Sequence, residues 1–294
     1  MKRVVSLLAC TTEMIFALGR EDCLVGRSHE CDFPPEAFSL PVVTRANIRS
    51  GTSEEIHLDL RERQSQGLSL YDVDEELLAE LKPDLLLTQN QCEVCAVTPE
   101  DVLRSARDLI GDDTEVLAIK PFSLDDVWDE FRRIARAVDA GNEAEEVLRQ
   151  WKTRLRDLPQ PEVRPSVLIL EWLDPLMGCG YWTPELVEMA GGKEVLGQKG
   201  EHAQWLTMEK LLEIQPDVLV LAPCGLKLPE ILEEAKRLGI MSDWNGLKAV
   251  RAKRVFAIDG NAFLSRSGPR LVESAEILSR IFGGECEGEG WAQL

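Results

Sequence analysis

Leu81-Lys82-Pro83-Asp84-Leu85-Leu86-Leu87 returns in the second half of the chain as Ile214-Gln215-Pro216-Asp217-Val218-Leu219-Val220. In each copy a proline stops a helical pattern and an aspartate then leads a short apolar run, the signature of a buried strand. Outward from the first copy, strand patterns at 3–8, 23–27, 84–88 and 115–119 alternate with helical patterns at 12–18, 53–66, 74–81 and 99–110. Thr52-Ser53-Glu54-Glu55 has the capping-box form, and Thr11 or Thr12 is placed to cap the first helix. Outward from the second copy, strands at 167–171, 217–222 and 254–258 alternate with helices at 184–190, 207–214, 229–238 and 268–282. Two βα series of this kind imply two mostly parallel sheets, each covered on both faces.

Between the series, one amphipathic pattern runs from Leu124 to Leu158, interrupted only at Gly141-Asn142 and ended by Pro159, Pro161 and Pro165. A helix of about 30 residues would reach ~45 Å and join two lobes. The expected fold is α/β, with two Rossmann-like lobes joined by one long α-helix. The expected divisions are 1–120, 121–160 for the linking helix, 161–283, and a disordered Gly- and Glu-rich tail at 284–294.

The 294 residues include 52 acidic and 33 basic side chains, for a net charge of −19. That balance argues against a nucleic-acid backbone or an anionic membrane surface as partner. Hydrophobic content of 44% supports a buried core. No apolar run approaches the roughly 20 residues of a membrane span, so no membrane insertion is expected. Met1-Lys2-Arg3 followed by Val4 to Cys10 imitates a lipoprotein signal, but its apolar stretch is about half the usual ~7–15 residues. The same residues read as a first core strand, so the chain is expected to be unprocessed and cytoplasmic. Its eight cysteines are then thiols or metal ligands, not disulfide staples.

Five motifs carry a family resemblance over most of residues 3–282. They are Ser6-Leu7-Leu8-Ala9-Cys10-Thr11-Thr12-Glu13 with Leu18-Gly19; Asp32-Phe33-Pro34-Pro35; Leu81-Lys82-Pro83-Asp84; Glu188-Met189-Ala190-Gly191-Gly192; and Ser267-Gly268-Pro269-Arg270. In this order, around a linking helix, they resemble the helix-linked (class III) substrate-binding proteins that deliver cobalamin, haem and iron–siderophores to ABC importers. The cobalamin-binding members are the most alike. The resemblance implies a corrinoid ligand held between two lobes, with a small closing motion. An ABC permease is an implied partner only if the chain is exported. Departures are Leu8 for the usual proline, His29-Glu30-Cys31 where a tyrosine is expected, and Gln89-Asn90 where a tryptophan is expected.

Ligands of open α/β sheets bind beyond the carboxyl ends of strands. That rule selects the loops at 8–12, 27–32, 89–97, 171–182 and 259–270, and with two lobes these are expected to face one cleft. His29, Glu30, Gln89 and Asn90 are candidates in the first lobe. Glu171, Trp172, Asp174, Tyr181 and Trp182 crowd one loop, where rings can stack on a macrocycle and carboxylates can bond its amides. The resemblance adds Asn261, Phe263 and Arg266, while Arg270 at the head of the last helix is read as structural. Cys224 also sits at a strand end.

Cys92-Glu93-Val94-Cys95 is a CxxC, and with His29 and Cys31 it makes a four-ligand set suited to zinc or an iron–sulfur cluster. A redox pair and two unrelated thiols are the alternatives, and His29 or a thiolate is a candidate axial ligand to a corrinoid cobalt. No GxGxxG, Walker loop, HExxH or nucleophile elbow is present, and His57 and His202 stand in polar surroundings. An enzyme acting on a tetrapyrrole-like or other amphipathic small molecule is the rival to a binding protein. Elemental analysis tests the metal alternative: it requires a stoichiometric metal in the purified protein that Cys92→Ala removes, and it fails if none is present.

Overall fold

The computed structural model describes residues 2–90 and 114–294. The expected helix at 99–110 and both cysteines of the CxxC, Cys92 and Cys95, lie outside the described residues. The chain forms two compact units. The first is Met1–Ser50, Leu58–Pro121 and Asp125–Gln150; the second is Gly51–His57, Phe122–Leu124 and Trp151–Leu294. Among the described residues no helix is long and apolar enough to cross a membrane.

In chain order, the elements up to the second series are β1 (Val4–Ser6), α1 (Ala9–Ala17), β2 (Leu24–Arg27), β3 (Thr44–Ala46), α2 (Ser53–Ser65), β4 (Tyr71–Val73), α3 (Glu75–Leu81), β5 (Leu85–Gln89), β6 (Glu115–Ile119), α4 (Leu124–Ala137) and α5 (Gly141–Arg156). A parallel sheet of order β2-β1-β5-β6 forms the centre of the first unit, and β3 pairs with β4 apart from it. The capping box closes as written, with Glu55 N donating to Thr52 Oγ1 and Thr52 N to Glu55 Oε2. Helix α1 starts earlier than expected and is not capped by Thr11 or Thr12. Both threonines are buried inside it, because their hydroxyls meet Ser6 Oγ at the end of β1 rather than the helix's own amides.

The pattern expected to be one long helix is two helices, α4 and α5. Asp139 turns into the left-handed region at φ +53° between them. Arg20 holds the break, donating to Asp139 O at 3.0 Å and to Glu143 Oε1 at 2.8 Å. Each helix buries its own stripe, Val127, Phe131, Ile134 and Ala135 in one and Ala144, Leu148, Trp151 and Leu155 in the other. The interruption read at Gly141-Asn142 thus marks a turn between two helices, across which the apolar spacing runs on.

The second unit continues with β7 (Ser166–Leu173), β8 (Leu176–Gly178), α6 (Thr183–Met189), β9 (Lys193–Glu194), α7 (Met208–Ile214), β10 (Val218–Leu221), α8 (Leu228–Ile240), α9 (Lys248–Arg251), β11 (Val255–Ile258), α10 (Leu271–Phe282), β12 (Glu287–Gly288) and β13 (Trp291–Gln293). Its sheet order is β12-β13-β11-β10-β7-β8, with β9 also on β7. Strand β10 is parallel to β7 and β11, while β8 and β13 run antiparallel to their neighbours. The tail expected to be disordered is a β-hairpin, and Trp291 within it is 1% exposed. Gly and Glu dominate the composition there, but one buried indole packed on Phe256 fixes the segment.

The repeated motif is structural in both units. Lys82 and Gln215, each before its proline, end their helices at φ +43° and +47°. Asp84 Oδ2 accepts Arg3 N at 2.7 Å, and Asp217 Oδ2 accepts Ser166 N at 2.8 Å. The aspartates' own amides return to Arg3 O and Ser166 O.

Lys248 and Ser166 hold the Asp217 carboxyl down to about 2, from an ordinary 3.8. A depressed carboxylate adds stability above its unfolded value and loses it as pH falls through the folded one. Asp217→Asn is expected to cost about 1 kcal/mol at pH 7, since the side chain is partly solvent-screened. Urea unfolding should show this difference narrowing as pH drops below about 4 toward 2.

Candidate functional site

In the first unit, the loops beyond β1 and β2 meet through hydroxyls. Thr12 Oγ1 lies 2.8 Å from Ser6 Oγ and 3.0 Å from Cys31 Sγ. Cys31 is fully buried, and burial pushes its thiol up to about 11 despite the Thr12 contact. His29 turns elsewhere: its Nδ1 is 2.7 Å from Thr44 Oγ1, which also accepts the His29 amide at 3.0 Å, and its ring lies 5.5 Å from that of Tyr71. Burial lowers the His29 pKa, with Glu30 opposing and Arg27 assisting, so the imidazole is neutral near pH 7. Among the described residues no group of three or more His, Cys, Asp or Glu is set to hold a metal ion. Exposed Glu30 follows His29, half-buried Gln89 ends β5, and exposed Asn90 donates its amide to Ile119 O.

The second unit builds its loops around Tyr181. This residue stands at φ +54°, rare for an aromatic. Its amide donates to Glu201 O at 2.7 Å, and its carbonyl accepts Gly200 N at 3.0 Å. The approach is close enough to need glycine before it, since a Cβ on Gly180 would lie 2.5 Å from Ala203 N. The segment at 200–201 therefore clamps Tyr181 and brings His202 to it, with Nδ1 hydrogen-bonded to Tyr181 Oη. Phe122 completes the group, its ring 5.5 Å from that of Tyr181 and 6.2 Å from that of His202. His202 is exposed, whereas Phe122 and Tyr181 are half-buried.

The two tryptophans expected beside Tyr181 are both largely buried. Trp172 is 9% exposed and donates Nε1–H to Asp174 O; Trp182 is 5% exposed, donates to Leu264 O at 2.7 Å and stacks under Tyr181. Asp174 itself is exposed in the turn from β7 to β8. Phe263 is also buried, with the Arg270 guanidinium 4.4 Å over its ring. In the same loop Arg266 Nη2 donates to Asn261 Oδ1 at 3.1 Å, and both residues are half-buried. Exposed Cys224 is fastened beside β7 by its amide on Glu171 O.

Glu171 accepts Thr183 Oγ1–H at 2.9 Å. Burial, and then the neighbouring Glu194, raise its carboxyl to about 8, against the pull of Thr183 and the Gly180 amide. Glu194 is raised too, chiefly by burial, while accepting Leu196 N and Gly197 N. The raised carboxyl favours its protonated form, which offers an O–H donor as well as an acceptor.

Sequence reasoning selected this loop and missed Phe122 and His202. Both lie far from Tyr181 along the chain, and backbone bonds bring His202 in. His57 also differs from its polar expectation, standing edge-on to exposed Trp205 at 5.5 Å.

A family model described as "Periplasmic binding protein" matches residues 4–262. The chain is 25% identical over 288 residues to an uncharacterized ABC transporter substrate-binding lipoprotein, YvrC, of Bacillus subtilis, covering 95% of this chain and 79% of that one. It is 23% identical to the vitamin B12-binding protein of Vibrio cholerae, over 94% of this chain and 87% of that one. The solved periplasmic heme-binding protein RhuT of Roseiflexus sp. RS-1 matches with a TM-score of 0.67 at 25% identity, covering 96% of this chain and 98% of that one.

A carboxyl raised above its unfolded value stabilises fully below that value and loses the contribution as pH rises through the folded pKa. Wild-type stability should therefore fall relative to Glu171→Gln between about pH 4.5 and 8, by up to one proton's worth of slope. Parallel urea titrations across this range read the difference, and identical pH dependence in the two proteins would show that Glu171 ionises normally.

Proposed function

Because the chain belongs to the periplasmic binding protein family, a group of small-molecule binders that serve ABC transporters, we propose that it binds a corrinoid. The observation that carries this reading is the ring group that Tyr181, in the loop that follows β8, forms with Phe122 and His202. A flat macrocycle with amide edges matches ring faces set beside polar groups. Protonated Glu171 can donate to a side-chain carbonyl of such a ligand, and Arg266, held by Asn261, can do the same. The cobalamin-binding relative supports the same class.

The Tyr181–His202 hydrogen bond favours one second reading. An imidazole that takes the phenol's proton leaves a hard oxygen donor, which suits ferric iron as cargo, as in haem. The haem-binding structural relative stands on that side.

We also read the protein as a cytoplasmic carrier or salvage protein. Strand β1 lies inside the first unit's sheet, and cleavage before Cys10 would remove it. An ABC permease is a partner only in an exported form.

The test is an absorbance and calorimetric titration with cobalamin, cobinamide and haemin, followed by chromatography of the recovered ligand. One-to-one binding of a corrinoid, recovered unchanged, is expected, with affinity reduced about tenfold or more in Tyr181→Ala. Haemin binding with a ferric–phenolate band that Tyr181→Phe abolishes would select the second reading. Chemically altered ligand would make the protein an enzyme, and failure of all three ligands would overturn both readings.

A further inference from the structure

The chain's last residues, beyond the stretch that matches the family model, touch the loop that carries Asn261 and Arg266. Strand β13 lies along β11, pairing Trp291 with Ile258, Ala292 with Ala257 and Gln293 with Phe256. Where β11 ends and the loop begins, Asp259 N donates to Gly290 O at 2.8 Å. Gly290 sits at φ +74° with its Cα against Phe263, and a Cβ there would lie 2.6 Å from the ring. Arg270 closes over that ring as well, at 4.4 Å. The loop's own bonds start from the same residue: Asp259 carboxylate oxygens accept Ala262 N and Leu228 N, and its carbonyl accepts Phe263 N. One step on, Leu264 O accepts the indole N–H of Trp182, which stacks on Tyr181.

We propose that the C-terminal hairpin is a buttress for this loop, with Gly290 as the positioning residue. It fixes the backbone at Asp259 and the seat of Phe263, so that Asn261 and Arg266 are held in place before ligand arrives. A loop ordered beforehand loses less freedom on binding, and the gain appears mainly as slower dissociation. This rests on the reading of the protein as a macrocycle binder for its consequence in affinity, but not for the buttress itself.

The experiment compares wild type, Gly290→Ala and Trp291→Phe in the full chain, by amide hydrogen exchange and by cobinamide titration. Gly290→Ala combines a left-handed backbone with a clash on Phe263. It should speed exchange at Ala262 and Phe263 at least about tenfold, leave the amides of Leu168 and Ile169 on β7 as in wild type, and weaken cobinamide by about tenfold. Trp291→Phe shortens the buried ring that anchors the hairpin and should shift loop exchange and cobinamide affinity in the same direction as Gly290→Ala, by less. If Gly290→Ala disturbs β7 as well, the double change with Phe263→Leu makes room for the methyl group and should recover protection at Ala262. Unchanged loop exchange in Gly290→Ala overturns the buttress, as does faster exchange with cobinamide affinity intact. If wild type binds no cobinamide, the corrinoid reading fails separately and the exchange data alone decide the buttress.

Discussion

Each unit depends on one aspartate that joins two strands at their feet. Asp84 and Asp217 each accept the amide at or just before the start of the neighbouring strand, Arg3 N or Ser166 N, and return their own amide to the same residue's carbonyl. The preceding proline cannot extend the helix, and the left-handed residue before it swings the chain into line. Register follows: Val4 faces Leu85 in one unit, and Val167 faces Val218 in the other. In a sheet covered on both faces, a slip of one residue would turn every side chain to the wrong layer. The heights at which the Ser6, Glu171 and Cys224 loops leave their sheets are set from these two points.

The alternation of strand and helix was legible because its signals are local: apolar runs, prolines and caps. Thr52 and Glu55 form the box their spacing announces, and Asp74 and Thr207 cap their helices. The break at Asp139 showed only as the interruption at Gly141-Asn142, since its turn depends on Arg20, distant along the chain, and leaves the apolar spacing intact. The hairpin was hidden for a related reason, because its anchor is one tryptophan within a polar, Gly-rich sequence.

The candidate site divides along the same line. Its loops could be found from strand ends, but the roles of its rings could not be told from residue type. Trp172, Trp182 and Phe263 are large enough to be drawn into the core, and both indole N–H groups find backbone carbonyls. Tyr181 is kept at the edge by its backbone, clamped at a left-handed angle by Gly200 and Glu201. Desolvation, with Glu194 nearby, raises the Glu171 carboxyl and favours its protonated form. In a chain of net charge −19 such a group supplies a donor without adding to the negative field.

The terminal hairpin also decides what the second sheet offers to other chains. Without β13, the full length of β11 would stand open as a row of unpaired amides and carbonyls, a template for fibril-like pairing. With it, that border is the two-residue β12, carrying Glu287 and flanked by Glu285 and Glu289. At the opposite border, β8 is covered by Gln204 and Leu206, which pair with Gly178 and Leu176. Both margins of the sheet are thus short, charged or covered, which guards a concentrated solution of this protein against strand-by-strand aggregation.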